Sequence, residues 1–359
     1  MSKLRELYDR LYVSIDCAVL AFDNIRQARK KARTCAPKPN FERDFRKKVL
    51  PYWRQFHAPR PKKFWYKTYG PATEPVDPRY VPYDIYVRHI LPYFNTLAFA
   101  QALQDKCLHN LLVPDIRRPA TVVKNVAGVF YDDALHLLTR QEAVARCKNA
   151  GRILAKPSVS SGGGDNIRFY DSGALSDVDI EAIFKQYRRN FIIQEKLAQH
   201  EALAAMNPNS LNTVRVYSFL FQNEVHILSA ILRIGGGVNE VDNVSQGGYQ
   251  CTILPDGRLD KYAITKRSGK WENADTCASG IRFADVRVPS YDRIIDAVRQ
   301  AAAKMAHSKI VGWDIGVAAD GEPVLIEYNV IPGQSQGTCG PTFGDLTDAV
   351  LEEVFSRRK

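Results

Sequence analysis

Gly312-Trp313-Asp314-Ile315-Gly316-Val317 and Val324-Leu325-Ile326-Glu327-Tyr328-Asn329 face each other across Asp320-Gly321. An Asp-Gly pair between two alternating apolar runs is a strong hairpin signal. With the loop centred there, Asp314 and Glu327 are equidistant from the turn and lie opposite each other. Side chains alternate faces along a strand, so Asn329 shares the face of Glu327, and Asp314 joins them across the ladder. The other face carries Trp313, Ile315 and Val317 against Val324, Ile326 and Tyr328, a core pattern. Two carboxylates and an amide oxygen make a hard, all-oxygen set. Mg²⁺ takes such ligands and leaves positions for phosphate oxygens and water. The competing reading is a plain solvated face. Against it, opposed like charges need a counter-ion, and the remaining residues on that face, Gly316 and Ala318, are small.

Upstream, the apolar run Ile153-Leu154-Ala155 ends in Lys156-Pro157 and leads into Ser158-Val159-Ser160-Ser161-Gly162-Gly163-Gly164-Asp165-Asn166. Bare N–H groups of such a loop can wrap a phosphate, and the lysine supplies a point charge. No Gly-Lys-Ser/Thr follows, so this is not a Walker A loop, and the dinucleotide fingerprint is absent too. A surface linker is the plain alternative. Phe191 to Leu197 predicts a buried strand ending in polar residues, against which an adenine could bond main-chain groups around Glu195 to Leu197. His200 and Glu201 follow within reach of a ribose. Asn212 to Phe219 alternates as a strand, and Val225 to Arg233 reads as its return partner. Arg215 and Arg233 interrupt these β-forming runs and need anionic partners, substrate or protein. Val241 to Gly248 is a second polar, Gly-rich loop.

Taken in order, Lys156-Pro157 with its Gly-rich loop, Gln194-Glu195-Lys196-Leu197, Asn212-Thr213-Val214-Arg215, Asp242-Asn243, Gly312-Trp313-Asp314 and Glu327-Tyr328-Asn329 resemble the ATP-grasp superfamily. The nearest branch is the sugar-transfer-associated one, and the resemblance spans roughly residues 120 to 350. It implies an α+β fold with ATP held between two subdomains. Carried over, Lys156 holds ATP phosphates with Lys124 as a second lysine, and Ser161, Gly162, Gly163 and Gly164 form the phosphate loop. Glu195, Lys196 and Leu197 form the adenine hinge, with His200 and Glu201 beside the ribose. Asp314, Glu327 and Asn329 bind one or two Mg²⁺, for which Mn²⁺ could substitute. Arg215 and Arg233 are the catalytic cations, facing the γ-phosphate or an acyl phosphate. Asn212, Asp242, Asn243, Gly247 and Gly248 line the substrate side. The implied chemistry is carboxylate–amine ligation: ATP phosphorylates a carboxylate, an amine displaces phosphate, and ADP is left. The substrates implied are small-molecule, peptide or sugar-acid carboxylates and amines, as in surface-polysaccharide or peptide natural-product biosynthesis.

Seven cysteines are scattered singly through the 359 residues with no Cys-x-x-Cys, which argues against a zinc site or a disulfide scaffold. The apolar run Leu11 to Phe22 is broken by Asp16, too short to span a membrane and without a small-residue cleavage site. A cytoplasmic location is the expectation. The net charge of +11 is uneven: residues 1–70 hold 18 Lys and Arg against 6 Asp and Glu, and the remainder is close to neutral. Residues 3–33 predict one long amphipathic helix with Leu4, Leu7, Tyr8, Leu11, Tyr12 and Ile15 on one side, broken by Cys35 to Asn40. Arg43 to Lys67 interleaves cations with Phe45, Tyr52, Trp53, Phe56, Phe64, Trp65 and Tyr66. Packing on the core is the preferred reading of this region. A surface for an anionic substrate comes next, then nucleic-acid binding, for which no recognised module is present. A weak contact with an anionic membrane surface is a further reading.

Three parts follow. Residues 1–110 are a basic, mostly helical region lacking the strand–helix alternation that usually precedes a grasp. Residues 111–200 carry Lys124, a helix from Arg140 capped by Thr139, Lys156, the Gly loop and the hinge. Residues 201–359 carry the arginine strands, the metal hairpin and a closing helix, Gly344 to Arg358. Pro71 to Pro92, with five prolines, predicts an extended connector, and Ile331 to Phe343 is expected to line the acceptor side. The expected protein is an ATP- and Mg²⁺-dependent ligase. A kinase-like phosphotransferase on the same fold and a non-catalytic glycan- or nucleic-acid-binding module are the alternatives.

Overall fold

The computed structural model describes residue 19 and residues 21–159, 166–237, 247–267 and 270–356. The expectations for Leu4 to Ile15, for Ser161 to Gly164 and for Asp242 and Asn243 lie outside these.

Two antiparallel sheets with helices packed on them place the chain in the α+β class. The smaller has the order β3-β2-β1-β6-β4-β5. Its strands are β1 (Thr121–Val126), β2 (Val129–Tyr131), β3 (Leu137–Leu138), β4 (Arg152–Pro157), β5 (Arg168–Asp171) and β6 (Phe191–Glu195). Helices α1 (Arg140–Asn149) and α2 (Asp177–Tyr187) cover it. Each begins with a capping box, Thr139 with Glu142 and Ser176 with Asp179, which satisfies first-turn N–H groups that otherwise lack partners. Val123, Ile153, Ala155, Phe191 and Ile193 of the sheet meet Ala143, Cys147, Ile180 and Phe184 of the helices in one buried cluster.

The larger sheet runs β11-β10-β9-β8-β7-β12-β13. Its strands are β7 (Thr213–Phe221), β8 (Glu224–Ile234), β9 (Tyr249–Ile253), β10 (Leu259–Arg267), β11 (Lys270–Ala274), β12 (Ile310–Val317) and β13 (Pro323–Asn329). Helix α3 (Tyr291–Lys304) lays Ile294, Val298, Ala301 and Ala302 on its core face, with Val214, Val216, Trp313 and Ile315 beneath. Asp314 pairs with Glu327 and Gly312 with Asn329, although the pairs next to the turn, from Ile315 with Leu325 to Val317 with Pro323, centre on Asp320 alone, so it is a bulge that brings the acids opposite each other. Past that pair the register shifts by one residue. The resulting bulge turns Leu325, not Ile326, to the core beside Ile315 and Tyr328, while Val324 is fully buried as expected. Ile326 moves to the face of the acids, which corrects the strict alternation expected for this strand.

The N-terminal region is helical and packs as core. Phe45, Trp53, Phe56, Trp65 and Tyr66 are buried with Phe219, Phe221 and Ile310 of the larger sheet and Val350, Leu351 and Val354 of the C-terminal helical segment. The first helix ends at Ala32, and the break before Asn40 is observed. The proline-rich connector is shorter than expected: residues 83–94 are helical, burying Ile85, Val87, Ile90 and Leu91. Asn95, at the end of this segment, is buried. Its Nδ2 donates to Ile310 O and Val330 O, both at 2.7 Å, and its Oδ1 accepts from Ile310 N at 2.9 Å. One side chain thus fixes the outer end of the β12–β13 hairpin. The helical segment after Gly344 runs to Ser356.

Candidate active site

β7, β12 and β13 lie side by side, so Arg215, Asp314 and Glu327 form a cross-strand row. The Arg215 guanidinium grips Asp314 with Nε on Oδ1 and Nη2 on Oδ2. Arg233 Nη1 reaches Oδ1 at 3.5 Å, the outer limit of a hydrogen bond. Asp314 is 2% exposed. Burial alone would raise its pKa, but Arg215 and then Arg233 outweigh that and hold it below the usual carboxylate range. On the other side, Lys106 Nζ lies 3.3 Å from Glu327 Oε2. The counter-ions expected for the opposed acids are therefore in part Arg215, Arg233 and Lys106.

Lys156 stands on β4 across the gap and is 5% exposed. Its pKa falls to about 8, chiefly through burial and then through the charge of Lys106, with Glu327 and Cys107 acting the other way. The Lys106 N–H donates to Ser158 O, which ties that segment to the strand end carrying Lys156. Lys106, Lys156 and Glu327 are thus coupled across the two sheets. Lys124 is also buried here, but its ammonium is held by Asn110 Oδ1 (2.9 Å), Asp133 O (2.7 Å) and Asp133 Oδ1 (3.3 Å). Three acceptors match its three donors, so a phosphate reaching Lys124 must displace one. His109 lines the same narrow cleft and stacks on Tyr328 at 4.5 Å. Burial and then Lys106 depress its pKa to about 3, so the ring stays neutral.

At the hinge, Glu195 N–H donates to Ala120 O and Lys196 N–H to Arg152 O. The Lys196 ammonium sits over the Phe169 ring. A Cβ placed on Gly316 would meet Leu197 Cδ2 at 3.2 Å, Ile326 Cδ1 at 3.4 Å and Leu211 Cδ1 at 3.5 Å. An apolar patch therefore forms where β12 and β13 pass Leu197, and the bulge supplies Ile326 to it. His200 accepts from Ala202 N–H and caps the turn beginning at Glu201, which is exposed. Asn212 is fully buried: Nδ2 donates to Leu203 O and Asn207 O, and Oδ1 accepts from Gly235 N and Ser210 Oγ. That leaves it little capacity for a substrate and makes it a tie between β7 and β8. Gly247 adopts φ +89°, and a Cβ on Gly236 would strike the Gly247 carbonyl at 2.4 Å, so the ends of the second Gly-rich loop are pinched together. Gly248 O accepts from Thr265 Oγ1.

Among the described residues no group of three or more His, Cys, Asp or Glu side chains is arranged to hold a metal. The expected set is two carboxylates and an amide. Asp314 Oδ1 serves both arginines and Oδ2 serves Arg215, while Glu327 stands opposite Asp314 in the ladder. Acids placed opposite each other also favour a cation between them. A divalent ion between Asp314 and Glu327, with Asn329 on the same face, fits that donor chemistry.

The sequence pattern missed Lys106, His109 and Ile326. Lys106 sits in a short turn without a motif, and only the packing of the N-terminal helical region on the hairpin brings it to Glu327.

A family model described as sugar-transfer associated ATP-grasp matches residues 88–337, more than two thirds of the chain. The chain belongs to this family. The match takes in Asn95, Lys106 and every site residue named above. Solved structures that align with the chain include the ATP-grasp ligase PsnB complexed with a minimal precursor, at 17% identity and a TM-score of 0.40. That alignment covers 72% of this chain and 63% of PsnB. The D-Ala:D-Ser ligase VanG from Enterococcus faecalis aligns at 15% identity over 73% of this chain and 63% of its own, TM-score 0.41. An L-amino acid ligase from Bacillus licheniformis aligns at 12% identity over 73% and 49%, TM-score 0.39. The chain thus spans less than two thirds of each of these relatives. No curated protein sequence matches it. Among the described residues no helix is long and apolar enough to cross a membrane.

Proposed function

We propose that the protein is an ATP- and Mg²⁺-dependent ligase that joins a carboxylate to an amine through an acyl phosphate, releasing ADP and phosphate. The observation that carries this reading is the charged row Arg233–Asp314–Arg215 with Glu327–Lys106, faced by the buried Lys156. Such a row suits a reaction whose transition states spread negative charge over phosphoryl oxygens and then over a tetrahedral oxyanion. Residues 111–200 and 201–359 are read as the halves that close on ATP, with residues 1–110 bracing the hairpin through Asn95.

Each residue then has a task. Lys156 pairs with the nucleotide phosphates, and Lys106 is close enough to share that charge. Leu197, Ile326, Leu211 and the flat surface of Gly316 take the adenine. Asp314, Glu327 and Asn329 would hold Mg²⁺, which when bound neutralises phosphate oxygens. Arg215 uses two of its five N–H donors on Asp314, so the remainder are available to the transferred phosphoryl group. Its orientation is set in advance, which lowers the reorganisation needed during transfer. Bond changes balance simply. A carboxylate oxygen bonds to the γ-phosphorus as the β,γ-bridge breaks, and the amine nitrogen then bonds to the carbonyl carbon as phosphate leaves with that oxygen. The association with sugar transfer in the family description favours a sugar acid or a peptide as the carboxylate.

The test is isotopic. Mg-ATP is supplied with a panel of ¹⁸O-labelled carboxylates, with and without amines, and the released phosphate is analysed. Release that needs both partners, with one label carried into phosphate, is the expected result. A stable phosphorylated product formed without an amine would replace the ligase with a phosphotransferase.

A further inference from the structure

The basic N-terminal region contains a feature that the catalytic cleft does not use. Residues 21–32 form a helix. Val19, Phe22, Arg26, Arg29 and Arg33 follow one another at spacings of three and four, so they share one stripe of it. Ala21 and Ala28, on the opposite side, are buried. The stripe itself faces outward, with Val19 61% and Phe22 67% exposed. Arg26, Arg29, Lys30 and Arg33 line a concavity of about 430 Å³ with Phe22 and Ile25. Sharing Arg29 and Arg33, it adjoins a larger one of about 1000 Å³ whose walls include Phe41, Phe64 and Lys67. None of Arg26, Arg29, Lys30 and Arg33 forms an ion pair among the described residues, although ion pairs are common elsewhere on the surface.

We propose that this trough is a docking surface for a membrane bearing anionic lipid headgroups, with Phe22 and Val19 entering the interface and the arginines meeting the phosphates. Three observations converge on it. The outward stripe of the helix is apolar at its start and basic along the rest, a combination that suits an anionic interface. Positive charge is concentrated at this end of the chain, 18 basic against 6 acidic residues in the first 70, so a negative plane would orient the molecule. The trough also offers little for stacking bases. The Phe64 ring already carries Arg29 at 5.4 Å and the Phe41 ring carries Lys67 at 5.7 Å, which disfavours single-stranded nucleic acid. The surface lies outside the stretch that defines the family, residues 88–337, and the inference is independent of the ligase reading.

Vesicle co-sedimentation of the full chain tests it. Vesicles of phosphatidylcholine alone are compared with vesicles containing about 30% phosphatidylglycerol, at about 0.1 M and 0.5 M salt. Binding is expected only to the anionic vesicles and to weaken at high salt. The triple change Arg26→Glu, Arg29→Glu and Arg33→Glu is expected to lower the partition coefficient at least about tenfold, since each charge near the surface counts separately. Phe22→Ser should lower it about threefold or more by removing the apolar contact. These side chains are exposed, so thermal unfolding should not change, and Mg-ATP affinity should stay the same in every variant. Equal binding to neutral and anionic vesicles, or binding indifferent to the triple change, overturns the proposal. So does full competition by soluble polyphosphate combined with indifference to Phe22→Ser, which would assign the trough to a soluble polyanion. Weakened ATP binding in the triple variant would place the surface within the catalytic cleft and also overturn it.

Discussion

ATP affinity should fall steeply with rising pH, because Lys156 carries its charge reluctantly. In the free protein its pKa is about 8, lowered first by burial and next by Lys106. Phosphate binds the ammonium and not the amine, so a bound nucleotide raises that pKa and binding takes up a proton wherever the free lysine is neutral. The sign follows: affinity is full below pH 8 and is lost as pH rises above it. If the bound-state pKa is about 11 or higher, the dissociation constant grows about 25-fold between pH 7.5 and 9.5, close to 2 kcal/mol. The ATP phosphates are ionised throughout that window and contribute no slope of their own. Calorimetric titration in two buffers of different ionisation enthalpy checks it, with about half a proton taken up at pH 8 and nearly one at pH 9.5. Lys156→Arg keeps its charge over the whole range and should flatten the curve whatever its absolute affinity. Lys106→Met removes the second cause and should move the midpoint upward. A wild-type affinity independent of pH across this window, with no proton uptake, would refute both the depressed pKa and the phosphate role.

Three further outcomes are expected. Lys156→Met should abolish nucleotide binding yet stabilise the unliganded fold by about 2–3 kcal/mol at pH 7, because the buried ammonium costs the folded state what the lowered pKa reflects; denaturant melts at pH 7 and 10 would show the gain shrinking at the higher pH. Glu327→Gln should leave the melting temperature nearly unchanged and reduce turnover by two orders of magnitude or more, roughly the worth of a metal-binding charge; near-normal Mg²⁺-dependent ADP release in this variant removes Glu327 from the metal set. Asn95→Ala leaves Ile310 N–H and two carbonyls without partners, and should cost about 2–4 kcal/mol in urea unfolding; a loss under about 0.5 kcal/mol would show that water replaces the clamp.

Much of the larger sheet is legible in the residues. Asp320-Gly321 marks the hairpin, and the expected pair of Asp314 with Glu327 is observed, but the loop runs from Ala319 to Gly321 and the bulge makes up the difference of one residue. The strands around Phe191, Thr213 and Glu224 follow from alternation and β-branched content, and the start of α1 from the capping box at Thr139. One residue beyond the acid pair the reading fails, because a bulge leaves no mark on hydropathy. Ile326 and Leu325 are equally apolar, and only packing against Trp313 and Tyr328 on one side and Leu197 on the other decides which turns inward.

Chain order and local pattern alone determine which residues carry charge on which strand, here an opposed acid pair, two strand arginines and a lysine at a strand end. Which partner each charge takes was decided by tertiary structure. Arg215 reaches Asp314 because β7 pairs with β12, 99 residues apart in sequence. Lys106 reaches Glu327 only when the N-terminal helical region closes over the hairpin. Ion pairing depends on distance in space and on shared burial, and neither is written in local sequence. A lysine in a featureless turn therefore becomes part of the site, while Asn212, within a motif, becomes a buried tie.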